Sequence, residues 1–461
     1  MATSHCSDEM DVEMSHLTIL IYDSFIQELK ASLEQINQLL WDGEGYPEVS
    51  ALLAAIISNK HSSVDYLLNT RENDWSFSSS SFPRIFQSVM ISPMPPLQKI
   101  DALELLGTTY ILKSRHKAFL YGLPCLKEAL ALRQSNGWVD VEHSSAISNI
   151  VQSHSDQALN AVGDTCIRKQ LKQVDHDYYH RLFIQAFDII QHILNKLVPG
   201  PHLYLMHSLQ RHANECLQYS QFGNAINISI MILKWFQPRQ WEGLSKEIRM
   251  LIFDTLQVMS FSLRELQQST EDVKELTFDN VMIALEFAIV DVAHTLSELV
   301  EQSTNESLTS ESFDDGKTYY IFGFIKLACD LLPKFNEQQG HQIKENIARF
   351  IQLVDKPGLS RCLLLHTACK HASVPIGLIK LLLEAGADPN ALDDEGNSPL
   401  YLLANNSREH VRNNIEAATI LIHYGARLDQ KNSVTSKTPQ QRFEERREIY
   451  WTGGEWRKIT V

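Results

Sequence analysis

An all-α fold built from paired helices follows from three features of this 461-residue sequence. Apolar residues recur at steps of three and four through almost every long segment. Alternating apolar–polar runs bounded by hairpin turns are scarce. A glycine-closed unit also repeats toward the C-terminal end. The expected class is therefore a helical repeat protein.

The elements follow in chain order. Leu17, Leu20, Ile21, Phe25, Leu29, Leu33, Ile36 and Leu40 make one stripe and predict a helix over 14–41. The same spacing predicts helices over 98–112, 116–133, 180–198, 206–219, 224–236, 247–267, 278–301, 317–332 and 341–354. Breakers separate them. Ser76–Ser81 is a serine-rich loop, and Ser92-Pro93-Met94-Pro95-Pro96 cannot continue a helix, because proline lacks the N–H and restricts the residue before it. Pro199-Gly200-Pro201, the polar acidic loop 302–315 and Pro357-Gly358 mark further boundaries.

The repeats define two kinds of module. Leu381-Leu382-Leu383-Glu384-Ala385-Gly386-Ala387-Asp388-Pro389-Asn390-Ala391 recurs as Leu421-Ile422-His423-Tyr424-Gly425-Ala426-Arg427-Leu428-Asp429. Leu363–Cys369, Ser398–Ala404 and Thr438-Pro439 begin successive units. From Leu365 to Leu400 is 35 residues and from Ser398 to Thr438 is 40, so each unit exceeds the ankyrin period of ~33 by a short insertion. Ser398 caps a helix that opens on Pro399, and Gly386 and Gly425 end apolar helices in the left-handed conformation. A tetratricopeptide-like pair lies at 101–133. There the small Gly107 within Leu106-Gly107-Thr108-Thr109-Tyr110 lets the partner helix at Leu126–Leu130 approach closely. Residues 206–236 repeat it more faintly through Ala213, Phe222 and Ala225, and 47–69 reads as one degenerate ankyrin-like unit.

The expected organisation is an N-terminal helix and degenerate ankyrin-like unit (1–83), a tetratricopeptide-like helical region (84–240), and a helical region carrying the acidic loop (241–356). Two to three ankyrin repeats (357–440) and a charged tail (441–461) follow.

Composition excludes several functions. With a formal charge of −15, of which residues 1–50 supply ten acids against Lys30 alone, the chain lacks the basic face that nucleic-acid binding requires. No run of 18 apolar residues predicts a membrane span, and the N-terminus has no signal-peptide layout. Seven scattered cysteines fit reduced thiols in the cytoplasm or nucleus.

Metal and catalytic motifs resolve into structural ones. Cys362, His366, Cys369 and His371 look like a ligand set, but His366 holds the ankyrin position whose imidazole braces the turn, and one helix aims four such groups poorly at a tetrahedral ion. His176 and His180 stand one helical turn apart beside Asp177, without the glutamate a metalloprotease helix needs; they read as a solvated helix start rather than a hydrolase centre. With no phosphate-cradling glycine loop, nucleophile elbow or CxxC pair, the expectation is no enzyme, no cofactor and no metal. Candidate partner-binding residues are Asp388, Asp393, Asp394, Glu395 and Asn397 on the repeat turns, where a basic peptide is the expected ligand. They also include Trp451 and Trp456 as aromatic anchors in a tail whose stretch 427–461 holds eight bases and five acids. The plainer alternatives are turns that merely solubilise the edge and a solvated charged helix, Gln440–Glu448.

A degenerate ankyrin-like unit, tetratricopeptide-like helices and then ankyrin units is an order that resembles the Fem (feminization) family of ankyrin proteins. Asp101-Ala102-Leu103-Glu104-Leu105-Leu106-Gly107 and Leu381–Asn390 through Asp394-Glu395-Gly396-Asn397-Ser398 carry the likeness, which covers 100–240 and 360–440. The resemblance implies a substrate-recognition subunit of a cullin–RING ubiquitin ligase, binding degron-bearing proteins and connecting to elongins and a cullin. Two departures stand out: a single degenerate unit takes the place of the family's opening ankyrin array, and no elongin-binding box is recognisable in 440–461. A protein-interaction subunit of this adaptor type is thus expected, with an ankyrin-repeat scaffold without ligase coupling as the alternative.

Overall fold

A computed structural model describes residues 47–68, 84–113, 121–137, 176–197, 200–268, 277–303, 315–354, 364–371, 374–393, 395–406 and 411–446. The expected helix at 14–41, the serine-rich loop and residues 304–314 of the acidic loop lie outside them. Among the described residues the regular structure is helical throughout, without a strand. The chain forms two compact units, Met1–Arg211 and His212–Val461.

In the first unit, α1 (Pro47–Ile57) packs on α2 (His61–Leu67). Asn59 closes α1 with φ +56°, while Lys60 N–H donates to Ala55 O at 2.8 Å, a glycine-type helix end made with asparagine. α3 (Arg84–Ile91) stops where the proline run begins, and α4 (Pro96–Lys113) starts on Pro96. α4 is the centre of this unit: α3, α5 (Leu123–Ser135) and α6 (His176–Leu197) all pack on it. Nearly every residue from Ile100 to Leu112 is buried, and side chains such as Leu103, Leu106 and Ile111 each contribute roughly 1.5–3 kcal/mol. Most of the polar ones find partners within the fold. Thr109 Oγ1 donates to Leu105 O at 2.6 Å, Tyr179 OH to Ile111 O at 3.0 Å, and the buried Glu104 carboxylate pairs with Arg133 at 2.8 Å.

The close approach expected at Gly107 is present. A Cβ there would lie 2.9 Å from Gly122 O and 3.0 Å from Cys125 Cβ. One at Gly122 would lie 2.7 Å from Ile111 Cγ1. α4 and α5 therefore meet backbone to backbone over two glycines, a crossing that side chains would prevent.

The division between units falls within α7 (Leu203–Gln218). In the second unit α8 (Phe222–Leu233) packs on α9 (Lys246–Gln268) and α10 (Phe278–Ser303). α9 packs on α11 (Asp315–Leu331), and α10 on α11 and α12 (Glu337–Val354). The ankyrin stack follows: α13 (Leu364–Lys370), α15 (Pro399–Asn405) and α17 (Pro439–Glu445) form one row, with α14 (Ile376–Glu384) and α16 (Val411–His423) behind. α11 and α12 pack on α14, so the stack continues the helical layers with no break in the core.

Candidate interaction edge

Two helix ends set the geometry of the edge. After α14, Gly386 takes φ +99° while Ala387 N–H donates to Leu382 O at 3.0 Å. After α16, Gly425 takes φ +95° and Ala426 N–H donates to Leu421 O at 2.9 Å. The two copies end by the same bonds, as their sequence match requires. The next helices begin as predicted. Tyr401 N–H donates to Ser398 Oγ at 3.2 Å ahead of Pro399, and Thr438 and Gln441 form a reciprocal capping box.

Between helix end and helix start the chain makes a finger. Asp393 N–H donates to Asn397 O at 3.0 Å and Gly396 N–H to Asp393 O at 2.8 Å, with Gly396 at φ +70°. His366 reaches up from α13, and its Nε2 lies 3.0 Å from both Ala391 O and Asn397 O. This is the bracing role expected of that imidazole. Burial of the ring, aided by Lys370, holds His366 below its ordinary pKa against the two carbonyls and Asp393. His371 is exposed, and Cys362 lies outside the described residues.

Neighbouring turns are tied by asparagines. Asn390 Nδ2 donates to Gly425 O at 2.9 Å, its Oδ1 accepts from Arg427 N–H at 2.8 Å, and its O accepts from Gln430 at 3.0 Å. Asn432 Nδ2 donates to Glu395 O at 3.0 Å and to Asn397 Oδ1 at 2.8 Å.

This network sorts the candidate residues. Asn397 is buried and works inside the finger, donating to Asp393 and Glu395 at 3.0 Å each. The Asp393 carboxylate accepts from the N–H groups of Glu395 and Asn397 and lies 3.3 Å from Lys370 Nζ. Burial works against its charge, but the Asn397 amides and Lys370 outweigh that and keep its pKa below the usual aspartate value. Asp388 and Glu395 are exposed, and Asp388 Oδ1 also accepts from Asn390 N–H at 2.8 Å. Asp394, Trp451 and Trp456 lie outside the described residues. Sequence reasoning missed the apolar members: Leu392 and Val434, on successive fingers, are 42% and 75% exposed. Their signal was a large apolar residue placed inside a turn between polar neighbours. The other histidine pair, His176 and His180, sits in the first turns of α6, half-buried, with Asp177 exposed between them.

Stacked helix pairs ending in hydrogen-bonded fingers define an ankyrin-repeat protein of the interaction class. Residues 365–422 match the family described as ankyrin repeats in many copies. The chain is 26% identical to protein fem-1 homolog C of Xenopus laevis and 25% identical to the Homo sapiens protein of that name, over 73% of this chain and 51% of each relative. It is 22% identical to protein fem-1 homolog A-like of Mus musculus over 87% of this chain and 62% of that protein. These likenesses place the chain beside the fem-1 ankyrin-repeat proteins as a protein similar to them. It spans about half the length of the fem-1 homolog C relatives it matches. No helix among the described residues is long and apolar enough to cross a membrane.

Proposed function

We propose that this protein-interaction chain serves as a substrate-recognition adaptor of a cullin–RING ubiquitin ligase in the cytoplasm or nucleus. It binds degron-bearing proteins and connects them to elongins and a cullin, and it carries out no covalent chemistry of its own. The observation that carries the proposal is the 26% identity to fem-1 homolog C along 73% of the chain, together with the ankyrin repeats matched at 365–422. The mechanism is geometric. Layers of packed helices hold a partner-binding edge at a fixed distance from a ligase-binding region. On the edge, Asp388, Asp394 and Glu395 offer carboxylates to a basic partner segment, Asp393 and Asn397 brace the finger, and Trp451 and Trp456 supply aromatic anchors from the tail.

Co-purification tests the ligase connection. The tagged chain brings down elongin and a cullin under conditions in which a fem-1 homologue does. Recovery of neither leaves an ankyrin-repeat scaffold without ligase coupling.

A further inference from the structure

Within the first unit, α2, the end of α4 and the first turns of α7 gather seven polar side chains drawn from three distant stretches of sequence. Tyr204, His207, Ser208 and Arg211 fall at steps of three and four along α7 and so share one face. His61 of α2 stacks on the Tyr204 ring with centroids 4.8 Å apart and meets His207 edge-on at 5.5 Å. Lys113, the last residue of α4, pairs with Asp65 of α2. Arg211 Nη2 donates to Leu112 O at 3.1 Å and to Ser208 Oγ at 3.3 Å.

Two cations beside the last carbonyls of α4 are ordinary helix-end chemistry. Tyr204 is not covered by that account. Its side chain is 0% exposed, and its hydroxyl is buried without a hydrogen-bond partner. Its ring stacks on His61 inside the cluster, and Arg211 and Asp65 lie near enough to bias its ionisation in opposite senses. A buried phenol normally finds a partner, because leaving it unpaired forfeits its hydration for nothing in return.

The cluster has a definite sign. Burial of His61 comes first in depressing its pKa to about 4, followed by His207, Arg211 and Lys113; Asp65 alone opposes them. The field at the imidazole is cationic. A ligand fitting this place is therefore an anion that accepts several hydrogen bonds at once. Arg211 carries five N–H donors and Lys113 three, each imidazole offers at least one, and Tyr204 adds its O–H. A carboxylate brings two oxygens and one charge, whereas a phosphate monoester brings three terminal oxygens and close to two charges near neutral pH. We propose that Lys113, Arg211, His61, His207 and the Tyr204 hydroxyl form a binding site for a phosphate-type dianion, with Asp65 as the counter-ion that the ligand displaces from Lys113. The site is distinct from the ankyrin edge and independent of the ligase role.

The test uses the full chain, calorimetric titration at constant ionic strength, and imidazole NMR of His61. Inorganic phosphate, O-phosphoserine and acetate are the probes. Phosphate or phosphoserine saturates, acetate binds roughly tenfold weaker or worse, and the dianion raises the His61 pKa. Tighter binding of phosphoserine assigns the site to a phosphorylated chain; tighter binding of inorganic phosphate assigns it to a small free anion. Tyr204→Phe weakens binding by roughly tenfold, since a hydrogen bond to a charged ligand is lost. It leaves the melting temperature of the free protein unchanged or higher, because it removes an unpaired hydroxyl, and this keeps the readout separate from folding. Asp65→Asn tightens binding. Absence of saturation by either phosphate probe overturns the proposal, as does equal binding of acetate or undiminished binding by Tyr204→Phe.

Discussion

Replacing Gly107 by alanine adds one methyl group at the α4–α5 crossing. In an open helix that change stabilises by about 1 kcal/mol, because glycine loses more backbone entropy on folding. Here the new Cβ would stand 2.9 Å from Gly122 O, 3.0 Å from Cys125 Cβ and 3.1 Å from Leu126 Cδ2. The nearest atom is backbone and cannot rotate away, so α5 must shift by several tenths of an ångström. Overpacking of this kind costs about 1–3 kcal/mol. The cost exceeds the propensity gain, and the expected net loss is about 1–2 kcal/mol. Gly340→Ala is the internal control, because its Cβ would meet only Leu332 Cδ2 at 3.6 Å, and it should gain about 0.5–1 kcal/mol. Amide hydrogen exchange reads both locally, with faster exchange across Pro96–Lys113 and Leu123–Ser135 in Gly107→Ala, by roughly tenfold per 1.4 kcal/mol of lost stability. Equal stabilisation by the two alanines would refute the backbone contact between α4 and α5.

Gly396→Ala combines a positive φ of 70° with a Cβ placed 2.8 Å from Ser433 N; it should destabilise the ankyrin stack by about 2 kcal/mol or more. Gly386→Ala, with a positive φ but open space, should cost about 1 kcal/mol, and thermal melts rank the two. Ser398→Ala removes the cap on α15 and should cost about 1 kcal/mol in urea unfolding. Acid weakens the fold through His366: its folded pKa lies below the unfolded ~6.5, so the unfolded chain takes up the proton first. The contribution is whole above that value and declines as pH falls toward the folded pKa. Urea midpoints between pH 7.5 and 5.5 should therefore fall, with a shallower slope in His366→Gln.

The parts of this fold legible in the sequence are those decided by neighbours within one turn of chain. Helix spacing located α4, α6, α9 and α10, Ser398 with Pro399 and Thr438 with Pro439 marked helix starts, and Gly386 and Gly425 marked ends. Each depends on contacts four or five residues away. Gly107 was legible for a related reason, since a glycine inside an apolar helix has few uses other than a close crossing. What stayed hidden depends on distant partners. Whether Asp393 or Asp388 keeps its carboxylate available is settled by Lys370, 23 residues upstream of Asp393, and by how Asn397 folds back. The gathering of His61, Lys113 and Arg211 depends on three helices meeting, and no spacing rule links those positions.

Interaction surface and scaffold share one set of turns at the ankyrin edge, and the hydrogen bonds show how they divide. Asp393 and His366 spend their polar atoms bracing one finger, and Asn390 and Asn397 tie it to the next, which fixes the backbone before any partner arrives. A preorganised edge loses little conformational freedom on binding. In the proposed adaptor role, recognition then falls to the few side chains turned outward: Asp388, Glu395, Leu392 and Val434. Inward and outward substitutions should accordingly separate. Asn390→Ala or Asp393→Asn lowers stability and disturbs every contact along the edge together. Glu395→Lys, in contrast, removes only one acceptor of the Asn397 amide, a loss of about 1 kcal/mol, yet it reverses the charge that a basic partner would meet.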